Sequence, residues 1–166
     1  MSIDVSLALK NEGVQYPFSE ELTIGVIECV TGDYKTEGAI RVEGMLTAME
    51  GEIYLDGEME VALVRLCDRC ADEYKRSYCL TFKETFTGKK DGDESENYIF
   101  ADGLVDLTQM VEDYVVLQVP TASLCSEDCK GLCPVCGVNL NRASCNCGAN
   151  NQTGPFGILA GLVDRD

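Results

Sequence analysis

The sequence predicts an α+β protein: a mostly antiparallel β-sheet meander with one main helix, followed by a cysteine-rich C-terminal segment. Three observations predict this. Several stretches before residue 90 alternate apolar and polar side chains, one later stretch has helical spacing, and six cysteines crowd into residues 125–147. We expect a β-rich domain over residues 1–119, with its helix at about 106–118, and a second segment over 120–166 that ends in a short helix. A chain of 166 residues has room for one domain of ordinary size with a small satellite.

Residues 3–10 place Ile3, Val5, Leu7 and Leu9 against Asp4, Ser6, Ala8 and Lys10, the period of two that predicts a strand with one buried face. A second strand is expected from Leu22 to Val30, with Leu22, Ile24, Val26 and Val30 on one side. Alternation resumes over Ala39–Met49 and Ile53–Leu66, and Gly51 between them supplies the positive φ that a tight hairpin needs. Residues 74–86 then put Tyr74, Tyr78, Leu80, Phe82 and Phe86 on one face, making a third strand of the meander. The polar, glycine-punctuated run 87–96 reads as a surface loop. Asp106 can cap a helix, with Gln109 at the capping-box position and Leu107, Met110, Val111, Tyr114 and Val115 as its apolar stripe. That helix should stop before Pro120. A last short helix is expected from Phe156 to Val163.

Acidic residues number 29 against 13 basic ones, for a formal net charge of -16, so the surface as a whole repels phosphate backbones and attracts basic partners. The N-terminus carries no signal-peptide pattern and no run is long enough to cross a bilayer, which predicts a cytoplasmic protein with no membrane role. There is no histidine, which removes His-dependent triads and general bases and means that any transition-metal site rests on thiolates. We expect a non-enzymatic protein.

In a reducing compartment, clustered cysteines are metal ligands or redox thiols more often than disulfides. Cys133-Pro134-Val135-Cys136-Gly137 has the form of a zinc knuckle: two intervening residues let both sulfurs reach one ion, and the glycine permits the reversal that follows. A tetrahedral Zn2+ site needs two more ligands, supplied either by Cys145 and Cys147 downstream or by Cys125 and Cys129 upstream. The downstream pair is favoured because the chain returns to it naturally. An iron–sulfur cluster is the alternative use of the same thiolates. Cys67-Asp68-Arg69-Cys70 has knuckle spacing too and reads as a half-site for a second metal, a structural pair or a thiol–disulfide redox pair.

Seven of the basic residues fall within positions 65–90, interleaved with aromatic ones. Arg65, Arg69, Lys75, Arg76 and Lys83 are therefore candidates for contact with RNA or another partner, cations for phosphate and rings for stacking, unless this is simply a strand with a solvated charged face.

The Cys67-Asp68-Arg69-Cys70 motif after a strand pair, the helix start Asp106-Leu107-Thr108, and the run Leu124-Cys125-Ser126-Glu127-Asp128-Cys129-Lys130-Gly131-Leu132-Cys133-Pro134-Val135-Cys136-Gly137-Val138-Asn139-Leu140-Asn141 together resemble the YceD family, over roughly residues 40–163. The resemblance implies a role in the accumulation of large-subunit ribosomal RNA. Some family members lack the C-terminal cysteines yet keep the first pair, which implies that the metal is structural. The expected partners are a basic ribosomal protein or a large-subunit precursor, with ribosomal RNA itself as the alternative.

Overall fold

The computed structural model describes residues 2–29, 32–88 and 98–147. They form two compact units. The first comprises residues 1–65 and 74–121, and the second residues 66–73 and 122–166. The second unit thus takes in Leu66–Glu73, a stretch that the sequence reading kept with the β-rich domain.

In the first unit the elements run β1 (Ser2–Asp4), α1 (Ser6–Lys10), β2 (Gln15–Leu22), β3 (Val26–Ile27), β4 (Tyr34–Thr36), β5 (Ile40–Met49), β6 (Glu52–Leu66), β7 (Glu73–Gly88), β8 (Tyr98–Phe100), β9 (Leu104–Asp106) and α2 (Thr108–Gln118). Strands β2 to β8 make one seven-stranded sheet, in which β2 pairs β5, β5 pairs β6, β6 also pairs β4 and β7, and β8 joins β7 in parallel. Strands β1 and β9 form a separate antiparallel pair.

The β5–β6 hairpin closes as its alternation predicts: Met49 pairs with Glu52, and the two-residue turn has Glu50 at φ 54° and Gly51 at φ 79°. Positive φ at both positions is the type I′ geometry, whose twist matches that of the strands. Strand β7 buries Leu80, Phe82 and Phe86, the face picked out by its aromatic spacing. Midway along the hairpin Gly44 lies opposite Gly57. A Cβ on Gly57 would stand 2.2 Å from the Glu43 carbonyl oxygen and 2.9 Å from Phe82 Cζ, so the Phe82 ring occupies space that only a glycine leaves open.

Two expected strands are corrected. Residues 3–10 are not one strand: β1 ends at Asp4, and its carboxylate Oδ1 accepts the Ser6 backbone N–H at 2.9 Å, turning the chain into α1. The phase shifts there, so that Ala8 is buried and Leu7 exposed. The strand expected at Leu22–Val30 lies earlier, at Gln15–Leu22, leaving only the two-residue β3 behind it. Strand β2 carries Pro17, which is tolerated because β2 pairs only with β5 and an edge strand can lack an N–H.

Helix α2 buries Met110, Val111 and Val115, with Leu107 at its start, and stops before Pro120 as expected. Its entry differs in detail. Asp106 Oδ1 accepts from the Thr108 backbone N–H at 2.9 Å and from Thr108 Oγ1 at 2.6 Å, whereas Gln109 donates to Asp113 instead of reaching back in a capping box. Thr87 and Gly88 continue β7, and the rest of the expected loop at 87–96 lies outside the described residues, as does the expected helix Phe156–Val163.

Among its described residues the second unit has no comparable core. The whole cluster of buried apolar side chains belongs to the first unit. Among the described residues of the second, the buried hydrophobic side chains are four cysteines, Cys67, Cys70, Cys129 and Cys133.

Candidate metal centre

Eight of the ten cysteines gather into two sets of four, both in the second unit. In one, the thiols of Cys67, Cys70, Cys125 and Cys129 all lie within 4.8 Å of one another; in the other, those of Cys133, Cys136, Cys145 and Cys147 do the same. The half-site at Cys67 and Cys70 thus meets Cys125 and Cys129, and the knuckle at Cys133 and Cys136 meets the downstream pair.

Each set begins with the same backbone loop. The Ala71 N–H donates to the Cys67 carbonyl at 2.8 Å and the Cys67 N–H to the Asp72 carbonyl at 2.9 Å; correspondingly, Gly137 donates to Cys133 at 2.9 Å and Cys133 to Val138 at 2.8 Å. The residue after the second cysteine is left-handed in both, Ala71 at φ 57° and Gly137 at φ 72°. In the first loop an alanine stands where glycine costs least.

The geometry suits one tetrahedral ion per set. Zinc–thiolate bonds of about 2.3 Å place ligand sulfurs about 3.8 Å apart along a tetrahedron edge. The Cys67 and Cys129 sulfurs are 3.8 Å apart, and so are those of Cys70 and Cys125. A four-iron cluster would spread its cysteines over separate irons, which asks for wider spacing than these sets have.

The electrostatics point the same way. Burial pushes the Cys67 thiol up, but backbone N–H groups of Cys125, Cys70 and Arg69 outweigh it and bring the thiol down to about 6. The N–H groups of Cys136 and Val135 likewise bring Cys133 to about 6 against burial. Within the same set Cys147 is pushed up to about 12 by the Cys136 sulfur and by burial. Backbone donors therefore favour the first thiolate of each set, and against burial the Asn141 amide and the Gly131 N–H lower Cys129 too, while the Cys129 sulfur raises Cys125 as the Cys136 sulfur raises Cys147, a repulsion that a cation removes. Buffering N–H···S bonds add to this: the Cys125 N–H and the Asn141 side-chain amide donate at 3.4 Å to Cys67 Sγ and Cys129 Sγ respectively.

The candidate contact residues of the basic stretch are mostly committed elsewhere. Arg65 stacks over the Tyr34 ring, 4.4 Å from its centroid, and donates to the Pro120 carbonyl at 2.9 Å. Arg69 donates to the carbonyls of Glu127 and Cys129. Lys75 is ion-paired with Glu37. Arg76 lies over its neighbour Tyr74, 5.7 Å from the ring centroid, and Lys83 stands exposed, 3.5 Å from Asp56. Outside the two sets, Cys79 is exposed beside Glu58 and Cys29 packs against the core of the first unit.

Sequence reasoning did not single out Asp72, Asn139, Asn141 or Arg142. Asn139 donates to Asp72 Oδ2 at 2.8 Å, Arg142 pairs with Asp72 Oδ1 at 3.0 Å, and Asn141 accepts the Lys130 N–H at 2.8 Å. The available signal was a pair of asparagines between cysteines, where nothing apolar requires them.

Among the described residues no helix is long and apolar enough to cross a membrane. No solved structure matches the chain. It is 24% identical over 164 residues to "Large ribosomal RNA subunit accumulation protein YCED homolog 1, chloroplastic" of Arabidopsis thaliana, covering 80% of this chain and 51% of that one. The protein of the same name in Zea mays is 24% identical over 163 residues, covering 78% and 55%. An uncharacterized protein of Mycobacterium tuberculosis is 31% identical over 106 residues, covering 61% and 49%. The chain thus spans about half the length of these curated relatives. The family model described as "Large ribosomal RNA subunit accumulation protein YceD" matches residues 55–163, taking in both cysteine sets, and the chain belongs to the YceD family.

Proposed function

We propose that this chain is a non-enzymatic cytoplasmic factor that supports accumulation of large-subunit ribosomal RNA by binding a basic ribosomal protein or an assembly intermediate, and that its second unit is held by two Zn2+ ions. The observation that carries this reading is the closure of both thiol sets. Four cysteines per ion leave no open coordination position for substrate, as structural zinc requires. A unit whose buried hydrophobic side chains, among the described residues, are cysteines also needs an ion to order it.

Charge favours a basic partner. On the exposed face of the β5–β6 hairpin Glu43 stands directly opposite Glu58, with Asp56 and Glu60 alongside. Like charges opposed across strands cost stability in the free protein, and a cationic partner relieves that cost.

The test is capture of purified ribosomal proteins by the full chain, beside direct binding of ribosomal RNA at low salt. Capture of a basic ribosomal protein without RNA supports the proposal. RNA affinity that falls steeply with salt and disappears when Arg76 and Lys83 are reversed in charge replaces it with direct RNA binding. The thiol–disulfide alternative predicts that Cys67 and Cys70 of the native protein react with an alkylating probe, whereas metal-bound thiolates are protected.

A further inference from the structure

We propose that the two thiol sets are coupled metal centres, in which the ligand loop of the Cys133–Cys147 centre supplies the outer shell of the Cys67/Cys70/Cys125/Cys129 centre. The inference rests on the zinc reading above and adds a thermodynamic link between the ions.

The loop from Cys136 to Cys145 is closed at both ends by ligands of its own centre. Three of its side chains nevertheless serve the other centre. The Asn141 amide donates to Cys129 Sγ at 3.4 Å while its oxygen accepts the Lys130 N–H at 2.8 Å, so it holds a ligand sulfur and the backbone beside it together. Asn139 and Arg142 grip the two carboxylate oxygens of Asp72 at 2.8 and 3.0 Å. Asp72 in turn closes the Cys67 loop, since its carbonyl accepts the Cys67 N–H at 2.9 Å. The asparagines also support each other: the Asn141 N–H donates to Asn139 Oδ1 at 3.0 Å.

Two backbone links run beside these side chains. The Leu132 N–H, next to Cys133, donates to the Arg69 carbonyl inside the Cys67–Cys70 loop at 2.9 Å, and the Leu140 N–H returns to the Gly131 carbonyl at 2.9 Å. Gly131 has φ 73°, and a Cβ there would come within 2.9 Å of the same Arg69 oxygen, so the crossing is tight.

An ion in the Cys133–Cys147 centre fixes the loop that carries Asn139, Asn141 and Arg142, and so prepays the ordering of the other centre's outer shell. Outer-shell partners are worth roughly 10–100-fold in metal affinity. The coupling must be reciprocal, each ion raising the affinity for the other by one common factor.

The test uses the full chain, stripped of metal under reducing conditions and titrated with Zn2+ against a chelator of known affinity, with Co2+ as the optical probe of four-thiolate sites. The wild type should take up two ions. Replacing Cys145 and Cys147 together by Ser should weaken the remaining centre by roughly 10–100-fold. With both centres intact, Asn141→Ala should weaken the Cys67/Cys70/Cys125/Cys129 centre by the same factor, yet change almost nothing once Cys145 and Cys147 are gone. That non-additivity separates coupling from a general loss of stability, and Asn141→Asp, nearly isosteric, checks it without a cavity. Two ions bound with affinities that neither Asn141→Ala nor the loss of Cys145 and Cys147 alters would overturn the coupling and leave the zinc reading standing. A wild type that takes up neither metal would overturn both.

Discussion

Cys70→Ser removes one of the four sulfurs that join residues 67–70 to residues 125–129. An ion held by this set closes a loop of about 63 residues between Cys67 and Cys129, which by loop-entropy scaling constrains the unfolded chain by about 4 kcal/mol. The second set closes only about 15 residues, worth about 3 kcal/mol by the same scaling. For a chain of this size 1 kcal/mol moves the thermal midpoint by roughly 2–4 °C, so Cys70→Ser should lower it by roughly 10 °C in zinc-saturated buffer. Calorimetry or circular dichroism on the zinc-loaded protein reads the shift, and limited proteolysis should show cleavage appearing first within residues 122–147. Cys79→Ser is the control, because Cys79 is exposed and belongs to neither set, and its midpoint should not move. A Cys70→Ser midpoint within about 2 °C of wild type would refute the argument, since an ion that crosslinks nothing leaves the unfolded ensemble unconstrained.

Acid should release the metal with a defined sign. In the metal-free protein Cys67 and Cys133 are held as thiolates below the ordinary thiol value of 9.0, at about 6, so the stability they contribute there is full above pH 9 and is lost as pH falls through about 6, which a thiolate absorbance titration reads; protons compete with the metal for the same sulfurs, so a zinc indicator should report release as pH falls. Ala71→Gly should stabilise the protein by about 1 kcal/mol, because it removes a Cβ from a left-handed position, and a shift of the denaturation midpoint checks it. Gly57→Ala should cost about 3 kcal/mol or prevent folding, since β5 and β6 must part to admit a Cβ 2.2 Å from the Glu43 oxygen; chemical denaturation measures the loss. Arg65→Ala should cost about 2 kcal/mol through its carbonyl hydrogen bonds and its stack on Tyr34, with Arg65→Lys rescuing only part in a thermal melt.

The sheet was legible wherever one face is buried and the other wet. Strands β5, β6 and β7 show this, because their alternation is the direct imprint of a half-buried surface. The same logic misled at residues 3–10, where Asp4 capturing the Ser6 N–H overrode four alternating apolar side chains. It was also silent at β2, whose proline is harmless only because the strand lies at an edge. Of the candidate basic contacts, Arg65 and Arg69 looked free in sequence, but main-chain carbonyls of residues 120–129 claim them in the fold.

What the sequence by itself determined is local: thiol spacing, the glycine after Cys136, the absence of histidine and the hairpin at Gly51. Each is a relation among residues a few positions apart, which the chain enforces wherever it goes. Only the tertiary structure decided that Cys67 and Cys70 meet Cys125 and Cys129, and that Asn139, Asn141 and Arg142 serve a centre whose ligands they do not adjoin in sequence. Spacing carries no record of such pairings, because folding, and not the covalent chain, closes the distance between residues 70 and 125.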